Sequence, residues 1–162
     1  MEIREATRDD QEAILYLVTK LAQYENKKPE DIELTLDKIN AHGFGDPNYF
    51  NILLAEDQNK PIAYALYYFS YCASLGAPIL YIEDLYVVDK YRRKGIGKAI
   101  LAQLAQISNQ HKCCRMEWHV YTWNEPALQF YKQLGAKPNL DLIPFQISGH
   151  CLEELTKQRK IE

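Results

Sequence analysis

The chain has 162 residues, 47% of them hydrophobic and 25% charged, and a net charge of -3. That size and apolar content suit one domain over residues 1–162 with a substantial core, while the acidic balance argues against a nucleic-acid partner. Met1-Glu-Ile-Arg-Glu-Ala6 has no apolar leader, no run approaches a membrane span, and the 4 cysteines fit neither a zinc spacing nor a disulfide framework. The expectation is a cytoplasmic protein with free thiols, no metal and no membrane contact.

In chain order, Glu2–Ala6 reads as a short strand, and Thr7-Arg-Asp-Asp caps a helix from about Asp9 to Gln23 with Ile14, Leu17, Val18 and Leu21 as its buried stripe. Asn26-Lys-Lys-Pro29 breaks that helix just after Tyr24-Glu25. Pro29-Glu-Asp is expected to cap a second helix through Asn40, with His42-Gly-Phe-Gly45-Asp-Pro as the loop beyond. Phe50–Glu56 and Pro61–Ser70 read as strands of a hairpin-like pair. The aromatic run Tyr64, Tyr67, Tyr68, Phe69 and Tyr71 is assigned to the core.

Ile79–Val88 is rich in β-branched, aromatic and aliphatic residues and is interrupted only by Glu83 and Asp84. Strand alternation places Glu83 with Tyr81, Leu85 and Val87 and puts Asp84 on the opposite face with Ile82, Tyr86 and Val88. Desolvating an unpaired carboxylate is costly, so acids in mid-strand need partners or a task. Arg92-Arg-Lys-Gly-Ile-Gly97 follows and opens a helix whose apolar positions Ile96, Ile100, Leu101, Leu104 and Ile107 recur at helical spacing. Glycines let a backbone approach a ligand, and a helix N-terminus favours anions, so this turn reads as a phosphate cradle. Neither the dinucleotide fingerprint nor the P-loop fits, because Ile100, Arg92 and Ala99 occupy the required positions.

Cys114–Tyr121 reads as another strand, in which His119 is assigned a structural role ahead of a catalytic one. Trp123-Asn-Glu-Pro126 starts a helix with Asn124 as cap, and helical spacing puts Asn124, Ala127 or Leu128, and Tyr131 on one side. Leu134-Gly-Ala136 ends it. Leu140–Ser148 is expected to supply closing strands and His150–Lys157 a terminal helix.

Arg92-x-x-Gly95-x-Gly97 resembles the signature of the GNAT N-acetyltransferases. Tyr24-Glu25, Gly43-Phe-Gly45, Tyr67-Tyr-Phe69, Tyr81-Ile-Glu-Asp84, Trp123-Asn-Glu-Pro126 and Phe130-Tyr131 extend the resemblance from about Ile3 to Ile147, toward the spermidine/spermine and thialysine branch. It implies an α/β (α+β) GNAT fold, a mixed and mostly antiparallel central sheet flanked by about four helices. It further implies that Arg92, Arg93, Lys94, Gly95, Ile96, Gly97 and Lys98 hold acetyl-CoA, with Leu85, Tyr86, Val87, Asn124, Ala127 and Tyr131 adding contacts. Tyr24, Glu25, Glu83 and Asp84 would hold a small cationic amine, and the chain would pair as a homodimer. The family's Glu-Gly-Trp before the last strand is replaced by Leu142-Ile-Pro-Phe145, which leaves the identity of the amine open.

An alkylammonium must lose a proton before it can attack a thioester, and Glu83 is assigned that base role, directly or through water. Tyr131 would protonate the leaving thiolate, and a backbone N–H of Leu85–Val87 would meet the oxyanion. The competing readings are a non-catalytic acyl-CoA-binding module on the same fold and an acetyltransferase acting on a protein amine.

Overall fold

The computed structural model describes residues 1–157. They form two compact units, Met1–His119 and the residues from Val120 onward. The first holds a five-stranded sheet in sequence order. Its strands are β1 (Glu2–Glu5), β2 (Asn51–Asp57), β3 (Lys60–Cys72), β4 (Ala77–Val87) and β5 (Arg115–Trp118). Pairing is antiparallel from β1 to β4 and parallel between β4 and β5. Helices α1 (Gln11–Tyr24), α2 (Leu36–Gly43) and α3 (Ile96–Gln110) flank it, so the mixed, mostly antiparallel architecture expected from the sequence is the one observed.

The apolar spacings of α1 and α3 are their buried stripes. Ile14 and Leu17 of α1 and Ile39 of α2 join Ile52, Leu54, Tyr64 and Tyr86 of the sheet in one core cluster. Each of these aliphatic side chains contributes about 1.5–3 kcal/mol through removal from water. Ile96, Ile100, Leu101, Leu104 and Ile107 of α3 are buried as well. At the N-terminus, Arg4 grips Asp10 with two guanidinium nitrogens at 2.7 Å and reaches Glu56 at 3.0 Å, while the Thr7 amide also donates to Asp10 at 2.7 Å. The Arg4 hydrogen bonds, the largest cause, hold the Asp10 carboxyl down to about 2.

One sequence expectation fails here. The helix expected from Pro29 is only a 3-10 turn over Pro29–Asp31, ended by extended backbone at Ile32. The helix begins instead at Leu36, where the Thr35 hydroxyl accepts from the Lys38 amide at 3.2 Å. The Gly43-Phe-Gly45 motif also has a packing cause. A Cβ on Gly45 would stand 2.1 Å from the Ala41 carbonyl oxygen, so only glycine fits.

The second unit holds α4 (Glu125–Gln133) and α5 (Gly149–Lys157). With them the described residues hold five α-helices where about four were expected. The closing strands expected over Leu140–Ser148 are not formed among the described residues. Pro144 cannot donate to a ladder, and this stretch leaves Leu140, Leu142, Ile143 and Phe145 exposed, Phe145 to 93%. All four cysteines are free thiols. Among the described residues no helix is long and apolar enough to cross a membrane.

Candidate active site

The acidic centre of β4 departs from simple alternation. Leu66 of β3 opposes Asp84, but the next residue, Tyr67, opposes Ile82, so Glu83 is the extra residue of a β-bulge. The two carboxylates therefore do not sit on opposite faces, as strand periodicity alone predicts. Tyr64 and Tyr68, four residues apart on β3, share a face. The Tyr64 hydroxyl donates to Asp84 at 2.8 Å and the Tyr68 hydroxyl donates to Glu83 at 3.3 Å.

Their environments differ sharply. Glu83 is exposed, whereas the Asp84 carboxyl is held up to about 6 by burial, with the charges of Glu83 and Glu25 pushing the same way and the Tyr64 hydrogen bond opposing. Glu25, at the C-cap of α1, pairs with Lys27 at 2.6 Å. Tyr24 beside it packs against the core cluster. The structure thus brings the charges of Glu25, Glu83 and Asp84 to one face of the sheet. Sequence reasoning missed the hydroxyls of Tyr64 and Tyr68 by assigning that run to the core. The available signal was tyrosine, rather than phenylalanine, at two same-face positions of the strand preceding an acidic pair.

At the acids, β4 has already lost its neighbour on one side. The β4–β5 ladder runs from Ile79↔Arg115 to Ile82↔Trp118, while β4 continues to Val87. From Glu83 onward β4 keeps its register with β3 alone among the described strands, so alternate backbone groups of Leu85, Tyr86 and Val87 face an open edge. Leu85 and Val87 are half-buried and Tyr86 lies in the core.

The chain then makes a 3-10 turn over Asp89–Tyr91 and passes Arg93 at φ 61 and Gly95 at φ 83 before α3 begins at Ile96. Gly95 is the N-cap, and a Cβ built on it meets nothing within 4 Å, so the approach to the helix N-terminus is open. Arg93, Lys94 and Lys98 are exposed around it, and Gly97 lies in the first turn. Exposed cations beside the unpaired amides of a helix N-terminus suit a polyanion. Arg92 behaves differently. Its Nε donates to the Val87 carbonyl at 2.9 Å, its terminal nitrogen pairs with Asp89 at 2.9 Å, and its guanidinium carbon lies 4.4 Å from the Tyr24 ring centroid.

In the second unit, Asn124 caps α4 as its sequence position predicts, accepting from the Ala127 amide at 3.3 Å. Tyr131, two turns on, is half-buried, and burial pushes its hydroxyl up to about 12, so it carries its proton at neutral pH. His119, in the first unit, is exposed, with its Nδ1 2.8 Å from the Tyr81 hydroxyl.

The acetyltransferase (GNAT) family profile matches residues 8–136. The chain belongs to this family, in the branch that includes the spermidine/spermine and thialysine N-acetyltransferases, and is an N-acetyltransferase. It is similar to the thialysine N-epsilon-acetyltransferase of Bos taurus, 34% identical over 94% of this chain and 95% of that protein. A human spermidine/spermine N(1)-acetyltransferase-like protein 1 is 38% identical over 83% of this chain, which spans only 20% of that protein. Among solved structures, an integron cassette protein from the mobile metagenome of V. cholerae shares the fold, with a TM-score of 0.80, 23% identity and coverage of 97% of this chain and 98% of that one.

Proposed function

We propose that this chain transfers an acetyl group directly from acetyl-CoA to the primary amine of a small cationic substrate, a diamine, a polyamine or a lysine analogue of thialysine type. The observation that carries this reading is the bulge, which turns Glu83 and Asp84 to one face in reach of the Glu25 charge. Acids gathered at one face raise the local concentration of cations, and a second positive charge on the substrate gains from the same field. The names of the bovine and human relatives, a thialysine acetyltransferase and a spermidine/spermine acetyltransferase-like protein, agree with an amine of this kind.

Acetyl-CoA supplies an activated thioester. In this reading the turn from Arg93 to Lys98 binds its phosphates, and the open β4 edge at Leu85–Val87 orients its acyl arm and offers an N–H to the developing oxyanion. Glu83, exposed and steadied by Tyr68, takes the ammonium proton directly or through water. Tyr131 returns a proton to the departing sulfur, and Asn124 and Ala127 add contacts to the coenzyme. Tyr24, Glu25 and Asp84 hold the amine. We further expect a cytoplasmic homodimer, which the exposed apolar stretch from Leu140 to Ile147 supports as a surface with something to bury.

Steady-state kinetics with acetyl-CoA and matched monoamines, diamines and lysine analogues test the proposal. The expected result is a higher kcat/KM for the dicationic members, reduced by Glu25→Gln. Equal kcat/KM throughout, with no penalty from that substitution, would remove the acidic face as the acceptor site. Light scattering that gave a monomer mass at micromolar protein would remove the dimer.

A further inference from the structure

Arg92 stands in a basic turn but does not share its surroundings. Arg93, Lys94 and Lys98 are exposed, whereas the Arg92 side chain is 34% exposed and is directed back at the strand end. Its fork is committed to the Val87 carbonyl and the Asp89 carboxylate, each at 2.9 Å. Its guanidinium lies 4.4 Å from the ring centroid of Tyr24 and 5.3 Å from that of Tyr86. One side chain thus touches the C-terminal turn of α1, the open end of β4 and the start of the basic turn. Guanidinium–ring contacts of this kind are attractive, and the planar fork fixes direction as well as charge, which a lysine does not reproduce.

We propose that Arg92 is a positioning residue that couples the two substrate sites, so that ordering of the basic turn by the acyl donor tightens the grip of Tyr24 and Glu25 on the amine. A polyanion held by Arg93–Lys98 fixes the turn, and Arg92, being tied to Val87 and Asp89, is fixed with it. The Tyr24 ring is then held by the guanidinium, and the next residue, Glu25, is held with Tyr24 at the end of α1. Linkage is reciprocal, so the amine must raise donor affinity by the same factor. The inference rests on the proposed function for the identity of the two sites, and it assigns Arg92 to neither ligand.

The test is a set of binding cycles. Affinity for acetyl-CoA is measured with and without a diamine, and diamine KM is measured at low and at saturating acetyl-CoA. For the parent chain each ligand is expected to tighten the other by about 5-fold or more, the lower end of typical coupling between sites. Arg92→Lys, which keeps the charge and loses the fork and the stack, should reduce that factor to within about 2-fold, and should raise diamine KM more than acetyl-CoA KM. Tyr24→Phe, which keeps the ring, should preserve the coupling; Tyr24→Leu should lose it. The double variant Arg92→Lys/Tyr24→Leu should be no worse than either single one, because both break one link.

A parent without coupling would overturn the proposal. So would an Arg92→Lys variant whose loss lies in acetyl-CoA affinity alone with coupling intact, which would make Arg92 an ordinary anion ligand. A fall in Tm with both KM values rising in step would reduce it to a structural residue. Absence of turnover with any amine would count against the proposed function, whereas a turning-over parent with independent sites would count against this inference alone.

Discussion

Glu83 and Asp84 are consecutive residues on one strand, and the bulge gives them one face but two environments. Glu83 is exposed, with a 3.3 Å hydrogen bond from Tyr68. Asp84 lies one residue further on, where Tyr64 is fully buried and donates to it at 2.8 Å. An acid in the first position is open to substrate and solvent and can exchange protons. One in the second is held up to about 6 by burial and acts mainly through the field it projects. The pair shows that the alternation of a strand assigns faces only where the ladder is regular. One inserted residue can gather two charges that the period of two would separate.

Substitutions at these positions test the contrast. The largest effect is expected from Glu83→Gln, which should lower turnover by about 10²-fold as expected for loss of a general base, most at low pH where the amine is hardest to deprotonate. A pH–rate profile superimposable on the parent's would transfer the base role elsewhere. Next is Tyr64→Phe, which leaves a buried carboxylate without its donor and should cost about 1–3 kcal/mol of stability, measurable by urea unfolding. A loss no larger than that of Tyr68→Phe would equalise the two environments.

Asp84→Asn should act through pH. Because its folded carboxyl sits above the ordinary value of 3.8, its relative contribution to stability is full below about pH 4 and is lost as pH rises through about 6. The asparagine variant should therefore lack a decline in Tm that the parent shows between those values; an identical pH dependence would mean that Asp84 is not desolvated. Asp10 makes the opposite contribution. Its carboxyl is held down to about 2, so its stabilisation is full above about pH 4 and lost as pH falls toward 2. The smallest effect is expected from Tyr68→Phe, within about 0.5 kcal/mol because its acceptor is exposed.

Much of this could be read from the residues. The β4–turn–α3 unit was legible because a β-rich run, paired glycines and a 3.6-residue apolar spacing agree with one another, and Asn124 announced its helix by its capping chemistry. Thr35 was overlooked because Pro29 offered a stronger local signal, yet Pro29 produced only a short turn. Leu140–Ser148 has strand-forming residues but forms no ladder among the described residues, and propensity alone does not supply a neighbour. The bulge at Glu83 and the turning of Arg92 toward Tyr24 and Tyr86 depend on register and on contacts distant in sequence, which no local pattern encodes.

The sheet's mixed pairing has a consequence for how it assembles. β2, β3 and β4 follow one another antiparallel, with Gln58 and Asn59 between the first two and a short link from Ala73 to Gly76 between the next. Those connections close at low entropic cost, so the hairpins can form early. β5 is parallel to β4, can join only after the intervening α3 has crossed over, and is held by a four-residue register from Arg115 to Trp118. It should dock after the β2–β4 hairpins have formed and open before them. In native-state hydrogen exchange the amides of Met116 to Trp118 should lose protection at a lower free energy than those of Tyr64 to Leu66, whose strand is paired on both sides.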